Sequence, residues 1–206
     1  MLQFITDKTD RYSIAEEVQM VIEGGCRWVQ LRMKDASYDE LKATALDIIP
    51  MCRESDTILI IDDNVELVKE LRVHGVHLGK DDMPPAKARE YLGPHAIIGV
   101  TANTADDILA MKGLDVDYIG LGPFRTTTTK KRLSPVIGLD GYRHIMTTIG
   151  QAGNQLPVVA IGGITLDDVD SIMSTGVQGI AMAGSIIRAE DPVQYTREVL
   201  SRLNNR

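Results

Sequence analysis

Eight short β-like runs, each followed by a stretch of helical periodicity, fill the chain from end to end. They occupy residues 2–6, 28–34, 58–63, 75–79, 96–102, 118–123, 158–163 and 179–184. Strands alternating with helices favour a parallel sheet, because a parallel return needs a crossover long enough to hold a helix. Eight such units are what a closed (β/α)8 TIM barrel requires. An open doubly wound sheet is the main alternative. Two features disfavour it. No G-x-G-x-x-G turn follows the first run, and polar residues end nearly every run instead of gathering at one switch point. No linker or low-complexity break interrupts the 206 residues, so one α/β domain over 1–206 is expected.

The intervening stretches carry start and stop signals. Ile14, Val18, Val21 and Ile22 share one helical face. It ends at Gly24-Gly25, where glycine can take the left-handed conformation that closes a helix. Tyr38, Leu41, Ala45, Ile48, Ile49 and Cys52 form a second face, which Pro50 is expected to kink or shorten. Thr104 with Asp107, and Thr165 with Asp168, set a hydroxyl at the N-cap and an acid in the first turn. Asp191-Pro192 supplies a cap and then a proline at the first helical position.

Charge narrows the partners. Lys and Arg number 22 against 29 Asp and Glu, a net charge of −7, so no basic face for nucleic acid is expected. Small anionic substrates respond to local charge and stay open. No apolar run approaches the roughly 20 residues of a membrane span. The start MLQFITDKTD lacks the basic-then-apolar order of a secretory signal. A cytoplasmic protein without a membrane partner is therefore expected. Cys26 and Cys52 read as two reduced, partly buried thiols. A homo-oligomer is compatible with this composition, which does not decide the point.

In a parallel barrel, chemistry collects where the strands end. Alternation within 28–34 turns Val29, Leu31 and Met33 toward the helices, and Gln30, Arg32 and Lys34 into the barrel. An inward Arg and Lys are costly without anionic partners. A bound polyanion supplies them, and Arg grips phosphate with a bidentate fork; internal carboxylates are the other source. Asp62, Asp63 and Asn64 end the third run, and Lys80-Asp81-Asp82 follow the fourth. Such oxygen ligands suit Mg2+, and they also suit helix capping. After the sixth run, a G-x-G-P turn leads into four threonines, 126 to 129, then Lys130 and Lys131. Gly162, Gly163 and Gly184 let a phosphate approach backbone N–H groups, or let a helix pack close. His77 shares the inward face with Gly75 and Gly79, placed to line the barrel; His74, His95 and His144 read as surface or loop. No Ser/His/Asp or Cys/His set is visible. The inventory is cations, acids and anion-binding backbone.

Taken in order, these residues resemble the thiamine phosphate synthase family over most of the chain. They are Q-L-R-x-K at 30–34, the acid pair at 62–63, G-V-H-L-G-x-x-D at 75–82, G-L-G-P-x-x-x-T-x-T-K at 120–130, V-A-I-G-G-I at 159–164 and the ending of the eighth run. The resemblance implies a Mg2+-dependent condensation of a hydroxymethylpyrimidine pyrophosphate with a thiazole phosphate, giving thiamine phosphate and pyrophosphate. It implies that Gln30, Arg32, Lys34 and Lys130 hold the pyrophosphate, with Arg32, Lys34 and Lys130 as the catalytic cations. It implies Asp63 and Asp82 as Mg2+ ligands, Thr101 near the pyrimidine, and Thr127 and Thr129 near the thiazole. Gly163, Ala183 and Gly184 would grip the thiazole phosphate through backbone. Asp62 stands where the family usually has Asn, Lys80 at a frequent Gln, Asn103 at a frequent His and Gly184 at a frequent Ser. Metal or a lysine is expected to screen the Asp62 charge, with Lys80 a candidate partner. A thiazole tautomerase on the same barrel, or a barrel that only binds thiamine precursors, would need neither the metal acids nor the full set of cations. Their presence together favours the synthase.

The loop 124–131 offers many hydroxyls and little apolar area, so it is expected to act as a lid that orders on an anion and excludes water. Lys130 would meet charge that grows on departing pyrophosphate and so act mainly in the transition state. In steady-state assays, Lys130→Ala should lower the maximal rate strongly and Lys131→Ala much less. Equal losses would mean that the loop supplies only general positive charge.

Overall fold

The computed structural model describes residues 1–126 and 135–204. Eight parallel strands close into a barrel in chain order. They are β1 (Leu2–Ile5), β2 (Trp28–Leu31), β3 (Ile58–Asp62), β4 (Gly75–Leu78), β5 (Ile97–Ala102), β6 (Tyr118–Leu121), β7 (Val158–Ile161) and β8 (Gly179–Met182). The seam is direct, with Leu2 beside Ile180 and Phe4 beside Met182. Most strands stop short of the run that predicts them. Their last residues leave the ladder to build the mouth, where polar side chains replace apolar ones.

Helices α1 (Ile14–Glu23), α2 (Tyr38–Glu54), α3 (Val65–Leu71), α4 (Pro85–Leu92), α5 (Ala105–Ala110) and α6 (Gly138–Gln151) follow the first six strands. A 3-10 turn at Leu166–Asp168 leads into α7 (Val169–Met173), and β8 is followed by α8 (Gly184–Ile187) and α9 (Pro192–Asn204). No helix among the described residues is long and apolar enough to cross a membrane.

Period-two alternation divides the strands between two cores. Val29, Leu31, Leu59, Ile61, Val76, Leu78, Ile98 and Val100 face outward, in one cluster with Val18, Val21, Ile48 and other helix residues. Ile5, Trp28, Ile60, Tyr118, Val159 and Ala181 face inward and fill the barrel.

The local signals hold with two adjustments. Thr104–Asp107 and Thr165–Asp168 form reciprocal capping boxes, and Ser13–Glu16 and Ser37–Glu40 do the same. Asp191 Oδ1 accepts the Gln194 N–H at 2.9 Å. At the end of α1 the left-handed residue is Gly25, one beyond the right-handed Gly24 cap. Pro50 does not shorten α2, which continues to Glu54. Pro50 and Leu46 are both exposed, so water can serve the Leu46 carbonyl that proline leaves without a donor.

Glu17 is the acidic residue that α1 turns inward. It is wholly buried behind β1. Its Oε2 accepts the Asp7 backbone N–H at 3.2 Å, while Oε1 has no hydrogen-bond partner among the described residues. Burial pushes the carboxyl up to about 8, against the hydrogen bond from Asp7, with the Asp7 carboxylate adding to the rise. A carboxyl whose folded pKa exceeds its unfolded value binds its proton more tightly in the folded state. Its contribution to stability is full below the ordinary glutamate range and is lost as pH rises through about 8. Thermal melts from about pH 5 to about pH 9 should therefore show a fall in Tm that Glu17→Gln reduces by several degrees. An identical pH profile in the variant would show that Glu17 does not drive it.

Candidate active site

Strand β2 delivers the clamp as its alternation requires. Gln30 is buried inside the barrel and its Nε2 donates to Asp62 Oδ1 at 2.7 Å. Beyond the strand end, Arg32 Nε lies 3.5 Å and Lys34 Nζ 3.3 Å from Asp62 Oδ2. Lys34 also pairs with Asp63. Burial alone would lower the Lys34 pKa, but the Asp62 and Asp63 carboxylates outweigh it and hold the ammonium above its ordinary value. Asp62 is thus the shared counter-ion of the two cations, with only 8% of its side chain exposed.

Two consecutive residues of a strand point to opposite faces, yet Asp62 and Asp63 both meet Lys34. The backbone makes this possible by leaving the extended form: Asp63 has φ of 63°. That left-handed conformation is uncommon outside glycine, although Asp adopts it more readily than most residues. Asn64, and not Asp63, caps α3, through its Oδ1 and the Leu67 N–H at 2.8 Å. Asp82 does not cap α4, whose N-cap Pro84 has no side-chain partner. Instead Asp82 Oδ2 accepts the Gly79 N–H at 2.6 Å. Burial and the adjoining Asp63 carboxyl push Asp82 above the usual carboxylate range.

Two adjoining carboxyls, one of them the raised Asp82, are a pair that a divalent cation would relieve. No cluster of three or more His, Cys, Asp or Glu that could hold a metal is found among the described residues. Mg2+ does not need one, since it commonly takes one or two carboxylates and completes its shell with water and phosphate. Asp63 and Asp82 therefore fit Mg2+.

A polar chain runs behind the clamp. Gln3 Nε2 donates to Gln30 Oε1 and to the Tyr118 hydroxyl, each at 3.1 Å. Tyr118 is 2.9 Å from His77 Nδ1, and His77 Nε2 is 3.0 Å from Thr101 Oγ1. Burial holds the Tyr118 phenol above its ordinary pKa. In the tautomer that carries its proton on Nε2, His77 accepts from the Tyr118 phenol and donates to Thr101. Glycines make room for this chain: a Cβ on Gly99 would lie 2.1 Å from the Tyr118 ring, and one on Gly120 would lie 2.9 Å from His77. Gln3 and Tyr118 escaped the sequence reading because each is the only polar inward residue of its short strand. His77 lines the barrel as expected.

Between the ends of β7 and β8 lies a cavity of about 310 Å3, lined by residues that include Arg32, Gly163, Ala183, Gly184 and Arg188. Gly162 and Gly163 have φ of 102° and 68°, a turn few other residues tolerate. Arg125 holds it in place, donating to the Gly163 carbonyl at 2.8 Å and to both Asp168 oxygens at 2.8 and 2.9 Å. Phe124 is buried against Tyr142, so the stem of the expected lid is packed. Thr127, Thr129, Lys130 and Lys131 lie outside the described residues. Lys80 does not screen Asp62. It reaches Asp107 at 2.7 Å, because it stands past the end of β4, on the α5 side, while β2 already supplies Asp62 with two cations.

The fold and the mouth define a class: a (β/α)8 barrel that handles phosphates by charge. A family model described as thiamine monophosphate synthase matches residues 2–186. A thiamine-phosphate synthase of Bacteroides thetaiotaomicron is 55% identical over 97% of this chain and 96% of its own length. One from Flavobacterium psychrophilum is 42% identical over 98% of both. A solved thiamine phosphate pyrophosphorylase from Pyrococcus furiosus superposes with a TM-score of 0.85 at 33% identity, over 98% of this chain and 94% of that one. The chain belongs to the thiamine monophosphate synthase family, transferases of thiamine biosynthesis.

Asp62 competes with any anion for Arg32 and Lys34. Asp62→Asn keeps an acceptor for Gln30 and removes the competing charge. Inorganic pyrophosphate should therefore bind the variant about threefold to tenfold more tightly by calorimetry. Weaker binding would mean that Asp62 organises the two cations more than it occupies them.

Proposed function

We propose that the barrel joins a hydroxymethylpyrimidine pyrophosphate to a thiazole phosphate, releasing pyrophosphate and forming thiamine phosphate. The observation that carries this reading is the position of Arg32. It belongs to the cation and acid cluster of β2 and β3, and it also lines the glycine-rimmed cavity between β7 and β8. Two anion sites that share one arginine suit two phosphorylated substrates that must react with each other.

Arg32 and Lys34 would hold the pyrophosphate, exchanging Asp62 for phosphate oxygens, with Gln30 and Lys130 completing the grip. Asp63 and Asp82 would hold Mg2+, which when bound supplies further neutralisation of pyrophosphate charge. As the carbon–oxygen bond to the pyrimidine methylene breaks, its electron pair leaves with pyrophosphate, and the cations stabilise the growing charge. The electron-rich aminopyrimidine supports the resulting cation. Asp62 would accept from the exocyclic amine, and the Thr101 hydroxyl would meet the pyrimidine ring. The thiazole nitrogen then forms the new bond with its lone pair. It would be held nearby by its phosphate at Gly163, Ala183 and Gly184, and the family resemblance assigns Thr127 and Thr129 to the thiazole as well. That nitrogen carries no proton, so no general base is called for.

Incubation of both precursors with the protein should yield thiamine phosphate when Mg2+ is present, and excess chelator should abolish the product. Asp82→Ala should lower kcat/KM at limiting Mg2+ by about a hundredfold. Full turnover in chelator would exclude the metal, and unchanged turnover in Asp82→Ala would exclude that ligand.

A further inference from the structure

Gly184 is a glycine without a backbone reason. Its φ is not in the left-handed region, where side chains are strained, and the family resemblance places a serine there. Space explains it. A Cβ at 184 would lie 1.9 Å from Nη2, 2.2 Å from Cζ and 2.3 Å from Nη1 of Arg188. The one-turn helix α8 sets residue 188 directly over residue 184, with the Arg188 N–H bonded to the Gly184 carbonyl at 2.9 Å. The guanidinium therefore lies flat against the bare α-carbon at the edge of the cavity.

Among the described residues the cavity lining contains two charged residues, Arg32 and Arg188, and no acid. Arg32 is committed to the Asp62 cluster. Arg188 is held by Asp7, whose Oδ2 is 3.3 Å from Nη1, and the Asp7 backbone is tied to buried Glu17. The Arg188 side chain is 64% exposed, and an ion pair so exposed is weak and easily traded. An arginine kept at a cavity rim by a weak partner is poised to take a stronger one with two oxygens.

We propose that Arg188 is a phosphate-binding residue of this cavity, meeting the phosphate of the thiazole substrate beside Gly163 and Gly184, and that Gly184 lacks a side chain in order to admit it. The inference rests on the assignment of this cavity to the thiazole phosphate.

Calorimetry with thiazole phosphate, and with the thiazole alcohol that lacks phosphate, tests it. Arg188→Ala should weaken thiazole phosphate binding about tenfold, or about 1.4 kcal/mol, and leave the alcohol's affinity unchanged. In turnover assays the KM for thiazole phosphate should rise while that for the pyrimidine pyrophosphate does not. Gly184→Ser should displace the guanidinium and weaken thiazole phosphate to a similar degree. In the Arg188→Ala background, Gly184→Ser should cost less than about twofold, since the space is then vacant. Equal binding by wild type and Arg188→Ala, a rise in the KM of the pyrimidine substrate instead, fully additive losses, or no binding of thiazole phosphate to the wild type would each overturn the proposal. Binding that depends on Arg188 without condensation would uphold it and sink the synthase reading. Condensation with Arg188→Ala unimpaired would do the reverse.

Discussion

A closed barrel has no edge, so an inward polar side chain can be satisfied only by another strand or by what enters the mouth. The interior of this protein depends on that constraint. Gln3, Gln30, Asp62, Tyr118, His77 and Thr101 come from six different strands or strand ends and form one hydrogen-bonded chain. Trp28, Ile60 and Val159 fill the lumen with apolar contacts, and Ile5 reaches the cavity at the mouth. The apolar contacts carry the stability, and the polar layer fixes the orientation of Gln30, Asp62 and Thr101. Glycines at 99 and 120 belong to this layer as much as its side chains do, because the Tyr118 and His77 rings occupy the space that their Cβ atoms would fill.

At the mouth the same constraint is met by charge. Arg32 and Lys34 could not be drawn into the barrel end without anions, and Asp62 and Asp63 supply them. The left-handed turn at Asp63 lets two neighbouring residues serve one lysine. Such an arrangement is a resting state suited to exchange. The carboxylates keep the cations aimed, and a phosphate with more oxygens and more charge can replace them without a large rearrangement. Asp82 lies beside Asp63 and is raised in pKa by burial and by that neighbour.

The opposite side of the mouth works by shape. The left-handed Gly162–Gly163 turn is clasped by Arg125 and Asp168, and Gly184 yields its side-chain space to Arg188. Here the backbone is brought close to the cavity and a single guanidinium is laid beside it. The two sides are joined by Arg32, so their charges are not independent.

The eightfold alternation, the period of two within each strand and the polar strand ends were enough to determine the barrel, the inward direction of Gln30, Arg32 and Lys34, and the collection of cations, acids and glycines at one end. These are local properties: a strand's pleat decides which face a residue takes, whatever lies across from it. Partnership is not local. That Lys80 serves Asp107 and not Asp62, that Glu17 turns inward, that Asn64 caps α3 and frees Asp63, and that Arg188 rests on Gly184 and Asp7 all depend on strand register and on distances across the barrel. A carboxylate reads the same in sequence whether it caps a helix, balances a lysine or awaits a metal. Only the tertiary structure brings up the neighbour that decides among them, because electrostatic and hydrogen-bond energies fall away over a few ångströms in space and not along the chain.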